Sequence, residues 1–152
     1  MNQQALKSVP DNICIVMMSA VGDAVHVLPV INALKRVNPR TRITWVLQPG
    51  PATLVRGHRS VDDIIIFNRS AGLAAFTNVR QELAKRRFDL VINLQVYFKA
   101  GIVTAMTGAP VRLGFDRARA RDMTATPAES YPRYSIRLRP SRRSGVAPFE
   151  PI

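Results

Sequence analysis

The sequence predicts an α/β fold, a Rossmann-like parallel sheet with helices on both faces. Two observations support this prediction. Short apolar runs alternate along the chain with segments of helical spacing. The first apolar run, I-C-I-V-M-M, is continuous, as in a strand that is buried on both faces. Strands separated by helices pair in parallel, and 152 residues are enough for one domain with its own core.

Strands and helices follow one another in the predicted order. The strands are residues 13–18, 42–47, 63–67, 89–94 and 111–115, and the helices are residues 24–37, 51–58, 71–88 and 97–108. In the first helix Val27, Ile31 and Leu34 share one face. Pro29 removes a backbone hydrogen bond from this helix and should bend it. Gly108 is expected to end the last helix.

Three regions are expected along the chain: a polar lead (1–12), the Rossmann-like domain (13–121) and a tail (122–152). The tail holds five of the eleven prolines, so we expect it to be mostly disordered. The lead has no signal-peptide core, and no apolar run reaches the roughly 18 residues that cross a membrane. The single cysteine, Cys14, should be a buried, inert thiol. These features predict a cytoplasmic protein.

The charge of the chain favours anionic partners. The formal net charge is +12, and residues 117–152 carry eight Arg against three acidic residues. The tail has few aromatic residues and no nucleic-acid motif, so no nucleic-acid partner is expected, whereas a peripheral contact with an acidic membrane surface stays open. His26 and His58 lie in different segments without a cysteine partner, so no metal site is expected. No G-x-G-x-x-G or Walker loop is present, so no nucleotide cofactor is expected either.

Ligands of such a sheet bind beyond the carboxyl ends of its strands. This rule brings four parts of the chain to one edge, namely Ser19–Asp23, Gln48–Pro51, Gln95–Lys99 and Asp116. Asp23 follows the first strand and precedes a helix. It is therefore either a cap for that helix or a catalytic base held at the end of a strand.

Three basic residues are expected near the same edge. Lys99 follows the fourth strand and either holds a phosphate or carboxylate or is a solvated helix residue. Arg112 and Arg117 flank the run L-G-F-D, and each is either a ligand contact or a surface charge. The residue pattern alone leaves these alternatives open.

Several motifs together resemble a known family. The segments ICIVMMSAVGDAVHVLPVINALKR, FDLVINLQVYFKAGIVTA and APVRLGFDRARAR are similar to the N-terminal, acceptor-binding domain of bacterial lipopolysaccharide heptosyltransferases, glycosyltransferase family 9. The resemblance runs from about Asn12 to Asp122. It implies one half of a two-domain GT-B fold, whose other half would bind the donor ADP-heptose. It also implies inverting, metal-independent transfer to the lipopolysaccharide core on lipid A.

The resemblance also implies roles for single residues. Asp23 matches the family's proposed general base, which deprotonates the acceptor hydroxyl, and one carboxylate could be both base and cap. Ser19 and Gly22 would shape the loop before the helix. The acceptor would be bound by these two residues together with Lys99, Arg112, Asp116 and Arg117. Such an acceptor would bring the protein to the inner face of the inner membrane.

Two departures from the family pattern affect the expected function. Met17 stands where many members carry Lys or Arg, so one acceptor contact is expected to be missing. The resemblance stops near Asp122, and we expect the donor domain to be absent through a frameshift or a premature stop. Transfer activity would then be lost in the chain alone. The alternatives are a non-catalytic module that binds an anionic glycolipid, with or without a separately encoded donor half, and the remnant of a frameshifted gene.

Overall fold

The computed structural model describes residues 10–18 and 20–115, together with the backbone of residues 134–138. These residues form one sheet with four α-helices. The strands are β1 (Asn12–Val16), β2 (Arg42–Leu47), β3 (Asp63–Ile66), β4 (Leu90–Asn93), β5 (Val111–Phe115) and β6 (Tyr134–Leu138). The helices are α1 (Val21–Val37), α2 (Pro49–Val55), α3 (Leu73–Ala84) and α4 (Phe98–Met106), with a short 3-10 turn at Arg69–Ala71.

The strand order creates a crevice at the centre of the sheet. The order is β3-β2-β1-β4-β5-β6, and all neighbours are parallel except β5 and β6. The chain moves from β1 outward to β3 and then returns to build β4 on the other side of β1. The connections after β1 and β4 therefore leave in opposite directions, which opens a crevice at the carboxyl ends of these two strands.

The core has two layers, one on each face of the sheet. Ile13 and Ile15 of β1 pack in the layer that contains α1 and α2. Cys14 and Val16 alternate with them and pack in the layer that contains α3 and α4. Because β1 is buried on both faces, its sequence is apolar throughout. The predicted fold class, a parallel sheet covered on both faces, is confirmed.

All four helices differ from their predicted bounds by one to four residues at one or both ends. Helix α1 begins at Val21 rather than residue 24, and it continues through Pro29, which lies on its exposed side. Helix α3 begins only after Gly72, whose φ of +55° lies in the left-handed region and separates the helix from the preceding 3-10 turn. No helix in the described ranges is long and apolar enough to span a membrane.

The predicted tail contains a strand. Tyr134–Leu138 pairs antiparallel with β5, with Tyr134 opposite Phe115 and Leu138 opposite Val111. The prediction of disorder is therefore wrong for these five residues. Their sequence, Y-S-I-R-L, alternates apolar and polar residues, which is the pattern of a strand with one buried face. The rest of the tail, like residues 1–9 of the polar lead, lies outside the described residues.

The thiol of Cys14 is buried in the middle of β1. Burial raises its pKa from 9.0 to about 12, against a smaller lowering by the positive charge of Arg86. Since the thiolate is the reactive form, the thiol is inert near neutral pH as long as β1 stays buried.

The carboxylate of Asp62, just before β3, ties α1 to β2. The backbone N–H of Ile43 donates to Oδ2 of Asp62 (2.7 Å), and Nζ of Lys35 lies 2.7 Å from the same oxygen. Burial raises the pKa of Asp62, but the hydrogen bonds from Lys35 and Ile43 outweigh it and bring the pKa below 3.8. The charged form of Asp62 therefore stabilises the folded chain.

We predict that Asp62→Asn lowers the free energy of unfolding near neutral pH by about 0.5–1 kcal/mol, as for a partly exposed ion pair. The pKa is lower in the folded than in the unfolded state. The stabilisation is therefore present above the unfolded pKa and disappears as the pH falls through the folded pKa. The stabilities of wild type and variant in urea unfolding should thus converge as the pH falls below the lowered pKa of Asp62 in the folded chain. Asp11→Asn, at an exposed residue, is the control. A constant difference between wild type and Asp62→Asn at all pH values would contradict the prediction.

Candidate functional site

A cleft of about 790 Å³ lies at the carboxyl ends of β1 to β4, beside the central crevice. Segments that follow four different strands form its walls. The lining residues are Met18, Ala20, Val21, Gln48, Pro51, Phe67, Arg69, Gln95, Tyr97, Phe98 and Lys99. The cleft therefore occupies the edge where the sequence predicts the ligand site.

Two glutamines hold the backbone at the end of β1. The N–H of Met18 donates to Oε1 of Gln95 (2.8 Å), and Nε2 of Gln48 donates to the Met18 carbonyl. Gln48 directly follows β2, and Gln95 follows β4 and is 7% exposed. The sequence places both glutamines at the ligand edge, but their residue type alone indicates no role there. Their positions just after two strands were the available signal.

Asp23 lies in the first turn of α1 and is half-buried. The N-cap of this helix is Ala20, and no side chain makes a capping hydrogen bond. The interpretation of Asp23 as the cap is therefore wrong, although a negative charge in the first turn still suits the helix dipole. Within residues 10–18 and 20–115, no hydrogen bond or ion pair involves the Asp23 carboxylate. Its assignment as the base stays a prediction.

Lys99 and Arg69 supply positive charge to the cleft. Lys99 lies in the first turn of α4, is exposed and lines the cleft, as expected for a ligand contact. Arg69 lies on the 3-10 turn after β3 and was missed, because no motif marks that turn in the sequence. Beside Lys99, Tyr97 is 62% exposed and Phe98 82% exposed. The cleft thus offers both cationic groups and aromatic surface to a ligand.

Four other predicted site residues have a different outcome from Asp23 and Lys99. Gly22 is in the first turn of α1, where an added Cβ would meet no atom within 4 Å, so packing there does not require glycine. Ser19, Asp116 and Arg117 lie outside the described residues.

The expected position of Arg112 at the ligand edge is wrong. Arg112 is the second residue of β5, next to the amino end of the strand, and its Nε donates to the carbonyl of Ala109 (3.4 Å). The cleft lies at the carboxyl ends of the strands. The run L-G-F-D follows Arg112, so the length of the strand separates this guanidinium from the ligand edge.

Ionic side chains are distributed unevenly between the two edges of the sheet. Within the described residues, the ion pairs lie at the amino-terminal edge and join Lys35 to Asp62, Arg42 and Arg86 to Asp63, and Lys85 and Arg86 to Glu82. At the carboxyl edge, Asp23, Arg69 and Lys99 take part in none of these pairs. In this part of the chain, no three His, Cys, Asp or Glu side chains are grouped so that they could hold a metal ion. The unpaired charges at the carboxyl edge are those available to a ligand.

Known proteins share this sequence pattern. Residues 76–132 match the family model described as glycosyltransferase family 9 (heptosyltransferase). The lipopolysaccharide core heptosyltransferase OpsX of Haemophilus influenzae is 27% identical over 113 residues, which are 74% of this chain and 32% of OpsX. Lipopolysaccharide heptosyltransferase 1 of Pseudomonas aeruginosa is 26% identical over 123 residues, which are 75% of this chain and 35% of that protein. The chain thus spans about a third of the length of these relatives.

Solved structures share the fold. Escherichia coli heptosyltransferase WaaC with ADP-2-deoxy-2-fluoro heptose superposes with a TM-score of 0.63 at 28% identity, covering 72% of this chain and 38% of WaaC. A family 9 glycosyltransferase from Veillonella parvula has a TM-score of 0.61 at 18% identity, covering 69% and 31%, which shows the fold alone. The sheet therefore has the Rossmann-like fold found in one half of these GT-B proteins. The family model and these relatives confirm the resemblance to glycosyltransferase family 9, the heptosyltransferases, that the motifs predict.

We predict that Asp23→Asn changes the free energy of unfolding by no more than about 0.5 kcal/mol, because the carboxylate has no partner in the described residues. An Asp that capped the helix would instead contribute about 1 kcal/mol. Urea unfolding of the two proteins at neutral pH measures the difference. A loss of stability of the capping size would contradict the structure.

Proposed function

We propose that the chain binds the lipopolysaccharide core acceptor in the cleft and that Asp23 is the general base for transfer of heptose from ADP-heptose. One observation carries this proposal: the Asp23 carboxylate stands in the first turn of α1, whose start lines the cleft, and no described residue engages it. A carboxylate that is free of protein partners is available to accept a proton at close range. The relatives named as lipopolysaccharide heptosyltransferases supply the substrate class.

In the proposed reaction, Asp23 takes the proton of an acceptor hydroxyl while its oxygen attacks the anomeric carbon of the heptose. The bond from that carbon to the diphosphate oxygen breaks as the new bond forms. Attack from the face opposite the leaving group inverts the anomeric configuration, and ADP leaves with the electron pair of the broken bond. The base supplies about 10²–10⁴-fold of the rate, so groups that hold and neutralise the diphosphate must supply the rest.

Lys99 and Arg69 have a role in acceptor binding under this proposal. Both line the cleft, and neither takes part in an ion pair among the described residues. They would contact carboxylates or phosphates of the acceptor through charge-assisted hydrogen bonds. The aromatic surface of Tyr97 and Phe98 would cover the apolar face of a sugar ring. An acceptor carried on lipid A would hold the protein at the inner face of the inner membrane.

An acceptor-binding module without turnover of its own is the second candidate. The cleft has cationic side chains that can bind the charged groups of an anionic glycolipid and aromatic side chains that can cover its sugar rings. Transfer also requires groups that hold ADP-heptose, which a separately encoded donor half would provide. Both candidates use the same cleft, and they differ in whether the chain transfers heptose without an added donor half.

We predict that Asp23→Asn reduces transfer from ADP-heptose to a heptose-deficient lipopolysaccharide acceptor by about 10²–10⁴-fold. The assay uses the purified full chain, alone and with an added donor half from the family. Asp23-dependent transfer by the chain alone supports an enzyme, and such transfer only with the added half supports a module. A folded chain with no transfer in either assay and no acceptor binding would overturn the proposed function.

We also predict that Lys99→Ala weakens acceptor binding by about tenfold, which is the size of one charge-assisted hydrogen bond. The loss should shrink as salt is added, because exposed charges are screened. Lys85→Ala is the matched control, because that lysine is also exposed but lies at the amino-terminal edge. Titration of the acceptor into each protein measures the affinity. Equal losses for the two variants would show that only the overall charge matters.

A further inference from the structure

We propose that Gln48 and Gln95 are positioning residues that set the place of Asp23 through the backbone of Met18. This inference rests on the proposed role of Asp23 as the base. The two amides contact opposite polar groups of one residue, with Gln95 as the acceptor and Gln48 as the donor. We call this arrangement, Met18 with Gln48 and Gln95, the amide clamp.

The amide clamp begins where the hydrogen-bond ladders of the sheet end. Leu94 donates to the carbonyl of Val16 (3.1 Å), and Met17 donates to the carbonyl of Val46 (3.4 Å). At Met18 the glutamine side chains replace the neighbouring strands as partners. Met18 is 5% exposed and Gln95 is 7% exposed, so their polar groups are largely withdrawn from water. A buried backbone group that loses its partner is costly, so the clamp fixes this residue firmly.

The position of Asp23 depends on backbone geometry. No described residue holds its carboxylate, so only the path of the chain determines where that group stands. On one side of it, Ala24 and Val27 anchor α1 in the core. On the other side, the amide clamp fixes Met18 against β2 and β4. A base must lie within hydrogen-bond reach of the proton it removes, and a small displacement of a catalytic group lowers the rate strongly.

The two glutamines have different hydrogen-bonding roles in the amide clamp, one as donor and one as acceptor, and substitutions can test this difference. A carboxylate accepts hydrogen bonds but does not donate them. Gln95→Glu therefore keeps an acceptor for the Met18 N–H, and a protonated carboxyl at this buried position keeps one as well. Gln48→Glu loses the donor and places a carboxylate against the Met18 carbonyl. If both residues only filled space, the two substitutions would have similar effects, because Gln and Glu have the same shape.

The experiment compares Gln95→Glu, Gln95→Met, Gln48→Glu and Gln48→Met in the full chain. Gln81→Glu on the exposed face of α3 is the matched control. We expect amide hydrogen exchange at Met18 to accelerate by about tenfold in Gln95→Met and to stay closer to wild type in Gln95→Glu. In the transfer assay that is active for wild type, Gln48→Glu and Gln95→Met should lower kcat by about tenfold or more while the KM for the acceptor changes little.

The outcomes separate this inference from the proposed function. Similar kcat values for Gln95→Glu and Gln48→Glu, or a rise in KM alone, would overturn the positioning role while leaving Asp23 as the base. If wild type neither binds the acceptor nor transfers heptose, the proposed function fails. Hydrogen exchange at Met18 then decides the clamp by itself, because equal exchange in wild type and Gln95→Met would overturn it. Thermal unfolding of each variant identifies any that fail to fold.

Discussion

Burial of β1 on both faces and pairing on both of its edges is the constraint on which the rest of the structure depends. The strand pairs with β2 on one side and β4 on the other, so each of its residues faces a helical layer or contributes to a parallel ladder. The same central position puts the chain reversal between β1 and β4, which opens the crevice at their carboxyl ends. Folding and the location of the cleft thus follow from one buried strand.

The structure separates stabilising charges from available ones. Asp62 and Asp63 pair with cations at the amino-terminal edge, where loops join the helices to the strands. Asp23 and Lys99 stand at the other edge without such partners in the described residues. An ion pair lowers the energy of both members and occupies the groups that a ligand would need. Because the ion pairs that join helices and strands lie at the amino-terminal edge, the charges at the ligand edge can stay unpaired without loss of those contacts.

Sequence pattern predicted the fold and part of the site. The spacing of apolar residues predicted the order of strands and helices. A helix with one buried face repeats its apolar residues every three or four positions, whereas a strand buried on both faces is apolar throughout. The edge of the cleft followed from topology, and Lys99 lines the cleft at that edge as predicted. Arg112 was misplaced although the bounds of its strand were predicted correctly, because the second residue of a strand lies near its amino end and not at the ligand edge. Arg69 and the two glutamines were missed because their roles depend on contacts between distant segments, such as Met18 with Gln95, that no local pattern encodes.

Strand β6 has a consequence for the behaviour of the chain in solution. It covers the outer edge of β5, whose free N–H and C=O groups would otherwise be open to pairing with another molecule. The opposite edge is β3, which has only four residues and so offers a short template. The edge on the β5 side is therefore β6 itself, so both edges of the sheet are strands of at most five residues, and such short edges limit the template for pairing between copies.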